Sequence, residues 1–310
     1  MLKTVLHRLR CPACAGSLAA DAIRQTDARI LDGALRCGGC GAVFAIENGL
    51  LDLTPPALAG PQLAQRRHFD WFADNDTQSY TAYQASPFWV AEDGLTFDAW
   101  RARIDAGAWV LDVGCANGRS AWPLLSRGGV VVGCDISPKL VRQAIARAEA
   151  DGVADRTCFF VADCDRLPFA DCSFRYVLTY GVLHHLPDPA RACREIQRVL
   201  EPGGVHFGSE NNRTVFRRLF DLLMRWRPLW IEEAGAEPLI SEGMLREWLR
   251  DLPVRLECTT SVFLPPHVMN VAGHASARSL LRLSDCIGRA IPGLRGQGGL
   301  IVFDARKTAA

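Results

Sequence analysis

Lysine is almost missing from this 310-residue chain: Lys3, Lys139 and Lys307 stand alone among 35 basic side chains, the rest being arginine. Opposed by 34 acidic residues, they leave a net charge of +1. That removes any global pull towards nucleic acid and leaves only a local basic patch as an option. No stretch comes near the roughly 18 uninterrupted apolar residues of a membrane span. The opening "MLKTVLHRLRCPAC" lacks the apolar run of about 7 to 15 residues and the cleavage site of an export signal, so a cytoplasmic location is expected. Internal repeats and low-complexity tracts are missing too. The remainder is ordinary for a globular protein, with 22% charged and 49% hydrophobic residues and length for one large domain or two smaller ones.

Cysteine is the exception. Twelve cysteines without an export signal point to thiols or metal ligands over a disulfide framework. Four are patterned: Cys11 and Cys14 in "CPAC", Cys37 and Cys40 in "CGGC", with 22 residues between the pairs. A two-residue gap lets both thiolates of a pair turn onto one ion, and two such pairs complete the closed four-sulfur shell of a structural zinc, Zn2+. A redox pair is the competing reading, but it would follow a strand and open a helix, and two copies would have no purpose. The stretch between the pairs reads as a hairpin turning at Asp32-Gly33. The other eight cysteines show no ligand spacing and read as inert core residues.

"TPPALAGPQLAQRR" is a Pro/Ala-rich connector and marks a domain boundary. Residues 68 to 105 carry aromatics and acids without strand alternation, expected as helices and loops packing over the next domain. From Trp109 short β-branched runs alternate with helical segments. Strands are expected at Trp109 to Val113, Val130 to Cys134, Cys158 to Val161, Tyr176 to Tyr180 and Val205 to Ser209. Helices are expected from Arg119, Ser137 and Asp188. This alternation predicts an α/β fold, a parallel sheet covered by helices on both faces, with ligands beyond the carboxyl ends of the strands.

The first such end reads "WVLDVGCANGRS". It is not G-x-G-x-x-G, and it lacks the Gly-Lys-Ser/Thr of a phosphate loop. Asp112, two residues before Gly114, would repel a pyrophosphate and suit a cation. Twenty-three positions on, Asp135 ends the second strand in "VVVGCDIS", where a carboxylate can accept both hydroxyls of a ribose. Asp163 in "VADCDRLPF" is a further polar end at the same edge. A positively charged nucleoside without phosphates, S-adenosylmethionine, fits all three. For the glycines the alternative is a plain structural turn, and for Asp163 an exposed loop acid.

"VLDVGCANG", "VVGCDIS", "VADCDRLPFADCSFRYVLTYGVLHHLPDP" and "REIQRVLEPGGVHFGSE" resemble, in order, the motifs of class I S-adenosylmethionine-dependent methyltransferases, from about Gly107 to Glu210. They are most similar to the group acting on small molecules and lipids. The resemblance implies a doubly wound, Rossmann-like seven-stranded sheet whose last strand, "GGLIVFDARK", is antiparallel. It also implies a cofactor pocket. Asp112, Gly114 and Gly118 would shape the methionine end, Asp135 and Ile136 would hold the ribose, Asp163 with the Ala162 and Cys164 backbone would face the adenine, and Tyr180 and Gly181 would border the sulfonium. Residues 1–54 resemble the zinc-ribbon module preceding the catalytic domain in some bacterial methyltransferases, a relative of which is a separate activator subunit. The expected organisation is a ribbon at 1–54, a linker and helical lid at 55–106, and a methyltransferase domain at 107–310 with a cap insertion over about 211–297.

A hydroxyl acceptor needs its proton removed. His184, just beyond the fourth strand, is the candidate base; packing or helix capping is the competing role for it and for His185. Metal-assisted relatives tend to carry acids where His184 and Gly181 stand, so the resemblance implies no catalytic magnesium. Glu210, Asn211 and Asn212 are further candidates for substrate contact. "NRTVFRRLFDLLMRWRPLW" has helical period, with a face from Phe216 to Trp226 and flanking arginines. It is read as a cap helix packing on the core or as a basic amphipathic surface for a lipid-bearing acceptor. With the segment Tyr80 to Trp89 it is expected to enclose a largely apolar acceptor cavity. The leading expectation is methyl transfer to a small-molecule or lipid-linked biosynthetic acceptor, with peripheral membrane contact an option. The alternatives are an rRNA or tRNA methyltransferase gripping RNA through the ribbon, against which the absent N-P-P-[YF] motif speaks, and a non-catalytic binding or activator protein of the same fold.

Overall fold

A computed structural model describes all residues except 56, 57, 59, 76–81, 83, 126, 127, 216–238, 309 and 310. Four antiparallel strands open the chain, β1 (Leu18–Gln25), β2 (Ile30–Cys37), β3 (Val43–Glu47) and β4 (Leu50–Leu51), paired in that order. The first hairpin turns at residues 26–29, closed by the Thr26 N–H on the Arg29 carbonyl, and not at Asp32-Gly33 as expected. Gly33 lies inside β2, where a Cβ would sit 2.2 Å from the Asp21 carbonyl oxygen. The glycine therefore serves a close approach beside the irregularity at Ala22, which a sequence pattern cannot tell from a turn.

Seven strands build the main sheet: β5 (Trp109–Val113), β6 (Val130–Asp135), β7 (Thr157–Val161), β8 (Phe174–Tyr180), β9 (Leu200–Asn211), β10 (Val254–Ser261) and β11 (Leu300–Lys307). Their order is β10-β11-β9-β8-β5-β6-β7. β5 to β9 pair in parallel, and β11 runs antiparallel to both neighbours. The helices are α1 (Gly60–Asn75), α2 (Pro87–Arg101), α3 (Ala121–Leu125), α4 (Pro138–Ala150), α5 (Pro189–Val199), α6 (Glu242–Trp248) and α7 (Pro266–Ala290). Polar caps begin several of them. Ser137 accepts from the Leu140 N–H, Asp188 from Arg191 and Ser241 from Met244, and proline follows at the first helical position of α4 and α5.

Both sheet faces are packed. On one, Leu111, Val132, Phe160 and Val177 meet Ala192, Ile196 and Val199 of α5 and, in the same cluster, Leu9, Leu35, Leu51 and Leu53 of the N-terminal module. On the other, Val110, Val131, Phe159 and Phe207 meet Phe97 and Trp100 of α2 and Val141 and Ala144 of α4. The N-terminal module thus shares its core with the larger sheet. Hydrogen bonds join the two as well. The Leu53 N–H donates to Val161 on β7, the Arg10 N–H donates to Pro168, and Arg8 lies 4.4 Å over the Trp109 ring.

Residues 211–297, expected as a cap insertion, hold more than a cap. β10 within them pairs with β11 over eight residues, and α7 packs Met269, Ala277 and Leu281 against Phe88 and Ala91 of α2. The expected helix from Phe216 to Trp226 and part of the segment from Tyr80 lie outside the described residues.

Candidate active site

The turn after β5 takes left-handed backbone at Gly114 (φ 73°) and Gly118 (φ 84°). A Cβ on Gly118 would fall 2.3 Å from the Trp122 ring. The amides of this turn point inward. Those of Gly114 and Cys115 both donate to the Cys134 carbonyl at 2.8 and 3.1 Å, and that of Gly118 donates to Cys115 at 2.8 Å. The Ala116 amide donates to Asp135 Oδ2 at 2.9 Å. None of these four is left to cradle a phosphate.

Carboxylates line the same edge. Asp112 is buried and accepts from Ser120 Oγ at 2.5 Å, while its Oδ1 has no partner; burial pushes its carboxyl up to about 7. Asp135, at the end of β6, accepts from the Ser137 amide at 2.9 Å as well as from Ala116, and burial raises it. Half-buried Ile136 follows it. Asp163, raised by burial, caps the short turn Cys164–Arg166 through the Asp165 amide, and the buried Ala162 donates its N–H to the Asp135 carbonyl.

Helix α1 crosses above these ends. Its Gln62 donates to Asp165 at 2.9 Å, Gln65 donates to the His185 carbonyl, and Asp70 accepts from Ser137 Oγ at 2.6 Å at the head of α4. Phe69 meets the His185 ring edge-on at 5.3 Å. His185 thus packs against α1.

His184 is held differently. Its Nδ1 lies 2.6 Å from Glu210 Oε2, and Glu210 Oε1 accepts from the Val182 and Leu183 amides at 3.0 and 2.7 Å. With Glu210 as the acceptor in this contact, Nδ1 would carry the ring proton and Nε2 would be the basic nitrogen of a neutral ring. Glu210, expected as a substrate contact, is instead 1% exposed and orients the histidine. Asn212 is likewise buried, its amide donating to the Gly296 and Gly298 carbonyls at 3.1 and 2.8 Å.

Sequence reasoning missed a polar cluster under α2. The Tyr180 hydroxyl at the end of β8 lies within hydrogen-bonding reach of Glu92 and, at 2.7 Å, of Asp93. Arg119, next to Gly118, forms a fork with Asp93 at 2.9 and 2.6 Å and lies over the Trp89 and Tyr180 rings. The cluster's signal was available: Glu92 sits in the i, i+4 row Phe88–Glu92–Thr96–Trp100, all buried.

In the N-terminal module the Sγ atoms of Cys11, Cys14, Cys37 and Cys40 all lie within 4.8 Å of one another. Cys37 accepts from the Gly39 and Cys40 amides at 3.3 and 3.5 Å, and these backbone hydrogen bonds, from Cys40 first, bring its thiol down to about 6. Of the other cysteines, Cys115, Cys134, Cys158, Cys164 and Cys193 are buried as expected, but Cys172 and Cys286 are exposed.

A profile described as "Methyltransferase domain" matches residues 111–208. The 27-O-demethylrifamycin SV methyltransferase of Amycolatopsis mediterranei (strain S699) is 36% identical over 146 residues, 44% of this chain and 54% of that protein. The chain thus spans about half the length of this relative. A ubiquinone biosynthesis O-methyltransferase of Xanthomonas oryzae pv. oryzae (strain PXO99A) is 30% identical over 179 residues, 56% of this chain and 73% of its own. Among solved structures, the [4+2]-cyclase SpnF superposes with a TM-score of 0.55 at 23% identity, over 83% of this chain and 98% of that one, a likeness of fold alone. With the seven-strand order, the matched domain and a relative aligned over most of its length, the chain belongs to the class I S-adenosylmethionine-dependent methyltransferases.

Proposed function

We propose that this protein transfers a methyl group from S-adenosylmethionine to a hydroxyl of a small or lipid-linked biosynthetic acceptor, with His184 as general base. The observation that carries the reading is the His184–Glu210 pair: a buried carboxylate orients the imidazole just beyond β8, the arrangement a histidine base uses. The inward amides of the glycine turn and the unpaired buried oxygen of Asp112 suit a cationic, phosphate-free ligand. Bound there, the cofactor supplies a methyl carbon already activated by a sulfonium. Asp135 retains a second lone pair on each oxygen for the ribose hydroxyls, and Asp163 with the backbone of Ala162 and Cys164 would face the base. Gly114, Gly118, Tyr180 and Gly181 would surround the reacting end.

Residues 55–106 would act as the lid. α1 and α2 exclude water and hold the acceptor oxygen in line, an alignment worth roughly 7–11 kcal/mol. The acceptor's hydroxyl proton would pass to His184 Nε2, while the cofactor, once held by Asp135, Asp163 and the glycine turn, would supply the methyl group and keep the electron pair of its carbon–sulfur bond as a neutral thioether. Both relatives named above carry O-methylation in their names, which supports an oxygen acceptor. The four cysteines fit one structural zinc with no open coordination position, so no step needs it.

The test is incubation with methyl-labelled S-adenosylmethionine and fractionated cell extract. Label in small molecules or lipid, lost in His184→Ala while S-adenosylhomocysteine still binds, is the expected outcome. Label entering RNA instead overturns the acceptor class.

A further inference from the structure

We propose that Glu92 is a positioning residue carried as a neutral carboxylic acid, its proton latching the lid helix α2 onto Tyr180 and Arg119. The argument is a count of hydrogens. The Tyr180 oxygen lies within hydrogen-bonding reach of both Glu92 Oε2 and Asp93 Oδ1. A phenol has one hydrogen and can serve only one of them. If both acids were ionised, one oxygen–oxygen contact would lack a hydrogen, inside a buried site and beside a like charge. Arg119 decides which acid keeps its charge, because its two-pronged bond goes to Asp93. Glu92 has no cation in hydrogen-bonding range among the described residues. Its other oxygen accepts from Thr96 Oγ1 at 2.7 Å, and the residue is 0% exposed. The hydrogens therefore run from Glu92 to the Tyr180 oxygen, and from Tyr180 to Asp93, which holds Arg119.

Other charges agree. Burial first, and Asp93 second, push the Glu92 carboxyl up to about 7. The groups facing it are Asp93 on its own helix, Tyr180 from β8 and Arg119 from the glycine turn. From α7, Arg278 stands against the Gly94 backbone and pairs with Asp98. One end of this chain of bonds is fixed to the residue after Gly118 and the middle to the residue before Gly181, so the seating of α2 over the site depends on a proton that the lid itself carries. The protonation does not depend on which acceptor is used; only its bearing on catalysis rests on the proposed function.

Glu92→Gln keeps a donor towards Tyr180 and cannot ionise, whereas Glu92→Leu keeps bulk and removes both hydrogen bonds. On the full chain, thermal unfolding of wild type and Glu92→Gln is compared from about pH 5 to pH 8. A carboxyl whose folded value is about 7, against 4.5 unfolded, makes wild type lose stability relative to Glu92→Gln as pH rises to about 7, then level off. The infrared difference between the two should show a protonated carboxyl near pH 6 that fades by pH 8.5. Hydrogen exchange of α2, corrected for intrinsic rates, should stay protected in Glu92→Gln and quicken by ~10-fold or more in Glu92→Leu. Parallel stability curves with no carboxyl band, or full α2 protection in Glu92→Leu, overturn the proposal. Should Glu92→Leu not fold, the first two measurements decide alone. Failure of wild type to bind S-adenosylhomocysteine would overturn the cofactor reading and leave the protonation result standing.

Discussion

Replacing Glu210 with glutamine keeps shape and removes one charge, yet it should invert the chemistry of His184. Glu210 receives three hydrogens, from the Val182 and Leu183 amides and from His184 Nδ1. Glutamine has one acceptor oxygen to offer. If that oxygen turned to Nδ1, the new NH2 would face two buried backbone N–H groups, stranding both at about 1–3 kcal/mol each. If it stays on the backbone, only the Nδ1 contact must change, so this arrangement wins. The NH2 then donates to Nδ1, the ring proton moves to Nε2, and the basic nitrogen is lost. A charge-assisted bond of about 1.5–3 kcal/mol becomes a neutral one of about 0.5–1.5, so stability falls by roughly 1–2 kcal/mol, a few degrees in Tm for a chain of this size. Turnover should fall by about 10²–10⁴, the usual worth of a general base. Long-range nitrogen–proton NMR on the ring reads the tautomer, labelled methyl transfer to the acceptor fraction reads turnover, and S-adenosylhomocysteine titration reads the pocket. A Glu210→Gln protein that keeps the Nδ1–H tautomer, or turns over within ~3-fold of wild type, would refute this reasoning.

Three other outcomes are expected. Wild type should carry one zinc per chain by elemental analysis; Cys37→Ser with Cys40→Ser should carry none and melt lower across the whole chain, and retained stoichiometric zinc would contradict the assignment. Asp135→Ala should weaken S-adenosylmethionine binding by about 1.5–3 kcal/mol, roughly 10- to 150-fold in calorimetry, while NAD shows no saturable binding to either protein; tight NAD binding would sink the reading of the glycine turn. Gly118→Ala forces a Cβ towards the Trp122 ring at a φ of 84° and should cost about 1–3 kcal/mol together with cofactor affinity, so an unchanged Tm and affinity would show the turn to be unstrained.

Local chemistry was readable from the sequence wherever it acts over short spans. The acids at strand ends, the glycine turn and the helix starts at Ser137 and Asp188 each depend on neighbours within a few residues. The fold followed from the order of such pieces. What stayed hidden depends on distant partners. Glu92 meets Tyr180 across 88 positions, and nothing in "VAEDGL" announces that a strand end will arrive beside it. Glu210 was noticed but misassigned, since its partner His184 lies 26 residues back and only the parallel pairing of β8 with β9 sets the two side by side. β10 escaped because its burial alternates, an edge-strand habit, whereas the parallel strands before it announced themselves as apolar runs.

The shared seam between the N-terminal module and β7 bears on how the chain avoids sticking to itself. β7 ends the main sheet, and its "TCFFV" is uncharged, rich in strand-favouring residues and fully buried. Left bare, a segment of that composition offers unpaired amides and carbonyls to the next molecule, the starting point of edge-to-edge aggregation. Here Leu53 hydrogen-bonds Val161, Asp52 bridges the same residue and Leu2 reaches Cys158, so residues from the first fifty-odd positions shield a border formed a hundred positions later. A nascent chain cannot seal that border until both parts exist and the N-terminal module has folded, a step that on the proposed zinc assignment would need the metal. Metal starvation during synthesis should therefore show itself first as insoluble protein, before any loss of specific activity in the fraction that folds.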